Sequence, residues 1–423
     1  MPYQPVHPKA LHALKKQIEQ KIYTPLAPLS VKAWITPEPV PYDRRESGEP
    51  LTLQPGDAWG KLWDCGWFRF RGRVPESAAG KKVVLLIDIN GELCLVDHEG
   101  TPVQGLTNVN SEFDSRLGLP GKRVVHLAEH AAGGETVDLW GDAGCNDLFG
   151  KYQGGTLKEA SIAECHEEIR QLYYDFEVLL ELAENLPESS SRRAQVLQAL
   201  YDASLKLTDV SGEQAAEARD VLAPELAKRG GDPTITVSAV GHAHIDLAWL
   251  WPIRETIRKG ARTFSTALRM MERYPEYIFG ASQPQLYQWI KERYPALYSQ
   301  VKERIREGRW EVQGRCGSSP IPMWREGKRW SGKYCTANVF FSGNSVWMSV
   351  RSGFRIYSAT RPACRSCLSG QASITWSRKS YPGTRSTIFL IIPSTGKAST
   401  ATACSPIFRR RTLTIRRPHP VRL

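Results

Sequence analysis

Ala239-Val240-Gly241-His242-Ala243-His244-Ile245-Asp246-Leu247-Ala248-Trp249 follows directly on an apolar, β-branched run, Thr234-Ile235-Thr236-Val237-Ser238. That run has the composition of a buried strand. Alternate residues of a strand share a face, so His242, His244 and Asp246 can point the same way. Two imidazoles and a carboxylate converging at a strand end are the donor types of a zinc-class divalent ion. Trp249-Leu250-Trp251-Pro252 adds an aromatic wall of the kind that stacks on a sugar ring. The competing reading of the same residues is structural: two hydrogen-bonded core histidines beside a helix-capping Asp.

Downstream, strand and helix patterns alternate. Residues 258–274 read as a helix of mixed charge with Phe264, Leu268 and Met271 on one face. Residues 278–282 read as a second strand, 286–294 and 296–307 as helices, and 310–313 as a third strand. Such alternation implies a parallel sheet with helical crossovers. In these folds the reactive groups gather at the carboxyl ends of strands, where His244 and Asp246 lie.

Upstream the texture differs. Residues 1–45 form a Pro-rich lead segment with one helical pattern over 9–22. Residues 46–150 are broken into short strands. Val83-Val84-Leu85-Leu86-Ile87-Asp88-Ile89 reads as a central buried strand, Asn90-Gly91 as a hairpin turn, Leu93-Cys94-Leu95-Val96 as the return, and Glu99-Gly100 as a further turn. Short strands with Gly turns predict an antiparallel β-sandwich. Trp59, Trp63 and Trp67 are assigned to its core rather than to a sugar platform. Residues 151–232 are expected to form a helical connector that packs the sandwich onto the next domain. Ile169, Leu172, Tyr173, Phe176, Leu179 and Leu180 recur there at helical spacing. Pro187 to Ser191 interrupts the run, and Arg229-Gly230-Gly231-Asp232-Pro233 marks the boundary to residues 233–314.

Gly241-His242-Ala243-His244-Ile245-Asp246-Leu247-Ala248-Trp249 resembles the opening motif of the α-mannosidases of glycoside hydrolase family 38. Phe279-Gly280-Ala281-Ser282-Gln283-Pro284-Gln285-Leu286-Tyr287 and Glu307-Gly308-Arg309-Trp310-Glu311-Val312-Gln313-Gly314 resemble the same family, over about residues 50–314. The resemblance implies an α/β and β architecture: an N-terminal antiparallel β-sandwich, a helical connector, then the first part of a (β/α) barrel-like catalytic domain. It implies retaining, zinc-dependent hydrolysis of terminal α-mannosides in mannose-containing oligosaccharides, with cobalt as an alternative metal. His244 and Asp246 match the family's first two metal ligands and Trp249 its sugar-stacking aromatic. His242 is read as an orienter of the ligands.

After Gly314 the pattern fails. Residues 315–423 hold 19 Lys and Arg against one acid, Glu326, a net charge of +18; residues 1–314 carry −6. A basic, irregular tail ordinarily suggests nucleic acid or an acidic surface. Yet Trp330, Trp347 and Trp376 do not suit a solvated tail. A shift of reading frame accounts for it better. Read from the third base of each codon, the stretch from Cys316 to Lys333 permits MWVEPDTNV, one residue, then GGEALVRQ, and later stretches permit further family-like segments in order. The family's nucleophilic Asp lies in that lost segment, and Ile321 stands where its codon falls. No catalytic residue is therefore assigned in this frame, and the chain as written is expected to be inactive. Two other functions remain in view: a metal-dependent amidohydrolase or deacetylase, and a carbohydrate-binding non-enzyme carried by the sandwich.

Bulk properties narrow the setting. No run of 18 apolar residues suggests a membrane span, and no leader pattern is evident. Nine Cys without a framework favour a reducing cytoplasm. Cys364-Arg365-Ser366-Cys367 is a lone CxxC without a partner pair. Nucleic acid is set aside as a partner, and a homo-oligomer is left open.

Overall fold

The computed structural model describes residues 8–107, 122–146, 154–229 and 239–312. Strands and helices are numbered along the chain. One antiparallel sheet runs β1 (Tyr23–Pro28), β12 (Glu159–Cys165), β6 (Val83–Asp88), β9 (Val124–Ala128). A second runs β3 (Glu49–Leu53), β2 (Ser30–Thr36), β5 (Cys65–Arg73), β10 (Thr136–Gly144), β7 (Glu92–Val96), β8 (Pro102–Thr107). A short pair, β4 (Ala58–Lys61) and β11 (Gly154–Thr156), flanks them. Phe68, Phe70, Leu93 and Leu95 of one sheet share a core with Val83, Leu85, Ile87 and Ile162 of the other. The antiparallel sandwich expected from the sequence is thus present. Its strand β6 is apolar at nearly every position because both faces are covered: Val84 and Leu86 pack with Ala163 and Cys165 on the opposite side. Trp59 and Trp67 are core residues, with indole N–H groups donating to the Ile89 and Val40 carbonyls.

Three expectations need correction. Asn90-Gly91 does not close a hairpin. Strand β6 pairs with β12 and β9, whereas β7 pairs with β10 and β8, so the turn carries the chain from one sheet to the other. Asn90 takes a positive φ of 51° there, and a Cβ on Gly91 would strike the Gly144 carbonyl. The turn at Glu99-Gly100 is the true hairpin, joining β7 to β8. Residues 23–36, read as part of a lead segment, supply β1 and β2, and residues 154–165, read as connector, supply β11 and β12. Pro at these positions did not preclude pairing because the strands concerned lie at or beside a sheet edge.

The helices α1 (Pro8–Gln20), α2 (Glu167–Asn185), α3 (Ser191–Ser204) and α4 (Gly212–Leu226) form a unit with its own core, including Leu11, Ile18, Leu172, Phe176, Leu200 and Leu222. The last unit is a parallel sheet, β13 (Gly241–His242), β14 (Phe279–Ala281), β15 (Trp310–Val312), with α5 (Ile253–Arg273), α6 (Pro284–Arg293) and α7 (Pro295–Arg306). Phe264, Leu268 and Met271 of α5 face this sheet, and Phe264 meets Trp310 edge-on. The helical unit was expected to join the sandwich to this domain. Instead, α5 itself lies directly on β7 and β8. The strand read at 234–238 and everything read beyond 312 fall outside the described residues.

Candidate active site

Strand β13 ends at His242, and the chain then leaves regular structure. Its register is set by the parallel pairing of Gly241 with Phe279 and by the Gly241 N–H donating to the Ile278 carbonyl at 2.8 Å. Gly241 is required here, since a Cβ would run into the Tyr277 hydroxyl. His244 and Asp246 are therefore not alternate residues of one strand, as the sequence suggested. Only His242 is in the strand, and the other two meet because the chain turns past its end. The His244 Nε2 lies 3.1 Å from Asp246 Oδ1, with His244 exposed and Asp246 partly buried. Burial, helped by the neighbouring His244, lowers the pKa of His242 and favours its neutral ring. Trp249 stands at the surface on the following bend, 54% exposed, beside exposed Leu250 and Ile253.

The loop is fastened from below. Ile245 turns its side chain into the domain core, and its carbonyl accepts a hydrogen bond from the buried Gln283 amide. The Thr256 hydroxyl donates to the Leu247 carbonyl at 2.9 Å and accepts from the Trp251 indole at 3.0 Å. Tyr287 donates to the Ala281 carbonyl and accepts from the Trp310 indole, tying β14 to β15. Sequence reasoning missed Gln283 and Thr256. Gln283 was visible only as part of a motif, and Thr256 as one more residue of a helical first turn.

His244 and Asp246 provide two donors of the right type for a divalent ion. Among the described residues no group of three or more His, Cys, Asp or Glu side chains could hold one. A catalytic zinc takes about three protein ligands, so the described residues do not complete a site.

Beneath the loop, α5 presents a charged face to the sandwich, and that face is buried. Arg258 makes a two-point contact with Asp142 of β10, Nε to Oδ2 at 3.0 Å and Nη2 to Oδ1 at 2.5 Å, and also pairs with Glu255. Lys259 Nζ lies 2.7 Å from Glu92 Oε2 of β7, which Arg262 also contacts. The Asn146 amide donates to the same carboxylate at 2.9 Å. Glu92 loses its water, which favours its neutral form, but Arg262 and Lys259 outweigh that and hold its pKa down to about 2. Burial likewise opposes ionisation of Glu255, and Arg258 and Arg262 override it, so the pKa is lowered. Glu255 is thus an ion-paired interface residue and offers no carboxyl to a substrate.

Comparison with known proteins adds the decisive observation. Residues 27–167 match the α-mannosidase jelly-roll domain, and residues 234–317 match the glycosyl hydrolases family 38 N-terminal domain. This chain carries two domains of the family 38 α-mannosidases. It is 35% identical over 308 residues to human alpha-mannosidase 2C1, an alignment covering 69% of this chain and 28% of the relative. It is 29% identical over 307 residues to alpha-mannosidase G of Dictyostelium discoideum, covering 66% and 28%. With the alpha-mannosidase of Saccharomyces cerevisiae it shares 29% over 269 residues, covering 57% and 24%. The chain therefore spans about a quarter of the length of these curated relatives. The family is a glycosidase family, which decides against an amidohydrolase or deacetylase. The jelly roll and the loop that bears His244 belong to one described scaffold, joined through α5.

Proposed function

We propose that this chain is the substrate-facing N-terminal part of an α-mannosidase, acting on terminal α-mannosides of oligosaccharides, and that as written it lacks a complete active site. The observation that carries the reading is the pairing of His244 and Asp246, 3.1 Å apart, where the chain leaves the parallel sheet within the family's domain. In this reading the two side chains contribute two ligands to a zinc or cobalt ion, Trp249 stacks on the sugar, and neutral His242 orients the loop. When bound, the metal would supply Lewis-acid polarisation of the sugar hydroxyls. Two donors do not build that site, so no step is routed through it. The missing nucleophile is assigned to a frame shift after Gly314. The change in texture there falls beside residue 317, where the family match ends, and this supports the assignment.

A cytoplasmic location belongs to the same proposal. The four cysteines among the described residues are free and buried, as suits a reducing compartment. Burial raises Cys65 to about 11 and both Cys94 and Cys145 to about 12, so their thiols stay protonated. No described helix is long and apolar enough to cross a membrane. The test is an aryl α-mannoside assay on this chain and on a version with the frame restored after Gly314. Hydrolysis confined to the restored version supports the proposal, and hydrolysis of an N-acetylated sugar instead by that version would refute the substrate class.

A further inference from the structure

A cleft of about 160 Å³ opens between β8 of the sandwich and the His244 loop with α5. Three cationic residues line it: Lys122, Lys259 and Arg262. Thr107, Thr263 and Thr266 add hydroxyls, His244 and Trp251 form its other wall, and none of the described residues that line it is acidic. Glu92 neutralises part of this charge by pairing with Lys259 and Arg262. Lys122 makes no ion pair among the described residues, although Glu92 attracts it; burial lowers its pKa, so an anion seated beside it would favour its charged form. The position of Lys122 is fixed by its backbone, which exchanges two hydrogen bonds with Thr107 at the end of β8. A second observation is independent of the lining. The Nη1 of Arg262 is buried and finds no hydrogen-bond acceptor among the described residues. A fixed guanidinium donor without an acceptor is costly in a folded protein, and an anion is its natural partner.

We propose that this cleft is a binding site for an anionic group of the phosphate class, seated between the jelly roll and the His244 loop. Lys122 and Arg262 supply the charge, and the Thr107 and Thr263 hydroxyls are donors suited to tetrahedral oxygens, whereas the Thr266 hydroxyl already donates to the Arg262 carbonyl. Trp251 offers an apolar face, with the Lys259 ammonium 4.7 Å from its ring centre, so a phosphate carried on a sugar also fits. The site does not depend on hydrolysis. It uses residues of the described scaffold alone and shares His244 with the candidate metal site.

The test is isothermal titration of the full 423-residue chain with inorganic phosphate and, separately, with a hexose phosphate and the unsubstituted hexose. Saturable, salt-sensitive phosphate binding is expected. Lys122→Ala, which keeps the backbone hydrogen bonds to Thr107, should weaken it about tenfold, and Lys122→Glu should abolish it, both with an unchanged circular-dichroism spectrum. Tighter binding of the hexose phosphate than of inorganic phosphate would locate the charge on a sugar ligand, and equal binding would identify a free anion; both sustain the site. Absence of saturable phosphate binding, or binding unchanged in both Lys122 variants, overturns it. Binding of the unsubstituted hexose as tight as its phosphate also overturns it, since the charge would then contribute nothing.

Discussion

Glu92 shows how much a single side chain decides. It sits in a strand whose pattern reads as apolar, is 4% exposed, and contacts Lys259, Arg262 and Asn146. Removing one member of a buried ionic cluster leaves the others uncompensated, at a cost of about 3–5 kcal/mol. Glu92→Ala should therefore lower the thermal midpoint by many degrees, whereas Lys81→Ala, which breaks a pair at the surface, should change it little. Differential scanning calorimetry checks both. The pH dependence has a definite sign. Because the folded pKa of Glu92 lies at about 2, below its usual 4.5, its contribution is present above about pH 4.5 and is lost as pH falls toward 2. Glu92→Gln should flatten that part of the acid-unfolding curve; an unchanged curve would remove Glu92 from the account. At the candidate site the expectation runs the other way. His244→Ala and Asp246→Ala should alter zinc retention little in this chain, because two donors already bind weakly. Metal analysis after dialysis reads this out, and a stoichiometric, tightly held zinc lost in either variant would contradict it. His244 and Asp246 were legible as candidates from donor type, but the strand alternation expected to align them is absent, since β13 ends at His242 and they meet in the loop beyond it. Gln283 was not, because a side-chain amide that holds a carbonyl from another loop leaves no periodic trace.

Helix α5 carries the lesson at the next scale. Its apolar face, Phe264, Leu268 and Met271, follows from helical spacing and packs as expected. Its other face carries Glu255, Arg258, Lys259 and Arg262, and by pattern alone such a face belongs in water. It is buried because Glu92 and Asp142, two strands apart in sequence, meet it with matched charge. A pairing across more than a hundred residues has no signature in the local pattern. The same limit explains Asn90-Gly91: a turn dipeptide marks where the chain reverses, but not whether the strands on either side join one sheet. The buried ionic face also sets the behaviour of the chain after cleavage. With a protease site introduced between Arg229 and Ala239, the cut halves should co-elute in gel filtration at moderate salt. The 239–312 piece remains seated on β7 and β8. Separation of the halves under native conditions would show that α5 is held only by the covalent link.

At the scale of the molecule, a jelly-roll domain and a family 38 N-terminal domain are joined face to face, and the sequence announces both: the sandwich through short strands and Gly turns, the parallel sheet through alternating strand and helix. The register that brings β13, β14 and β15 together places the His244 loop at the carboxyl end of the sheet, where such folds keep their chemistry. On the proposed frame shift, the written frame lacks the segment with the nucleophile. Loss of a catalytic nucleophile costs several powers of ten in rate, and neither Glu255, committed to its arginines, nor Glu326 stands in that motif. The most direct measurement is the rate of aryl α-mannoside hydrolysis by the 423-residue chain, with and without added zinc or cobalt, beside a version with the frame restored after Gly314. The account predicts no detectable turnover by the chain as written and recovery on restoration, lost again when the restored nucleophilic Asp is changed to Ala. Turnover at an ordinary enzymatic rate by the unrestored chain would contradict it.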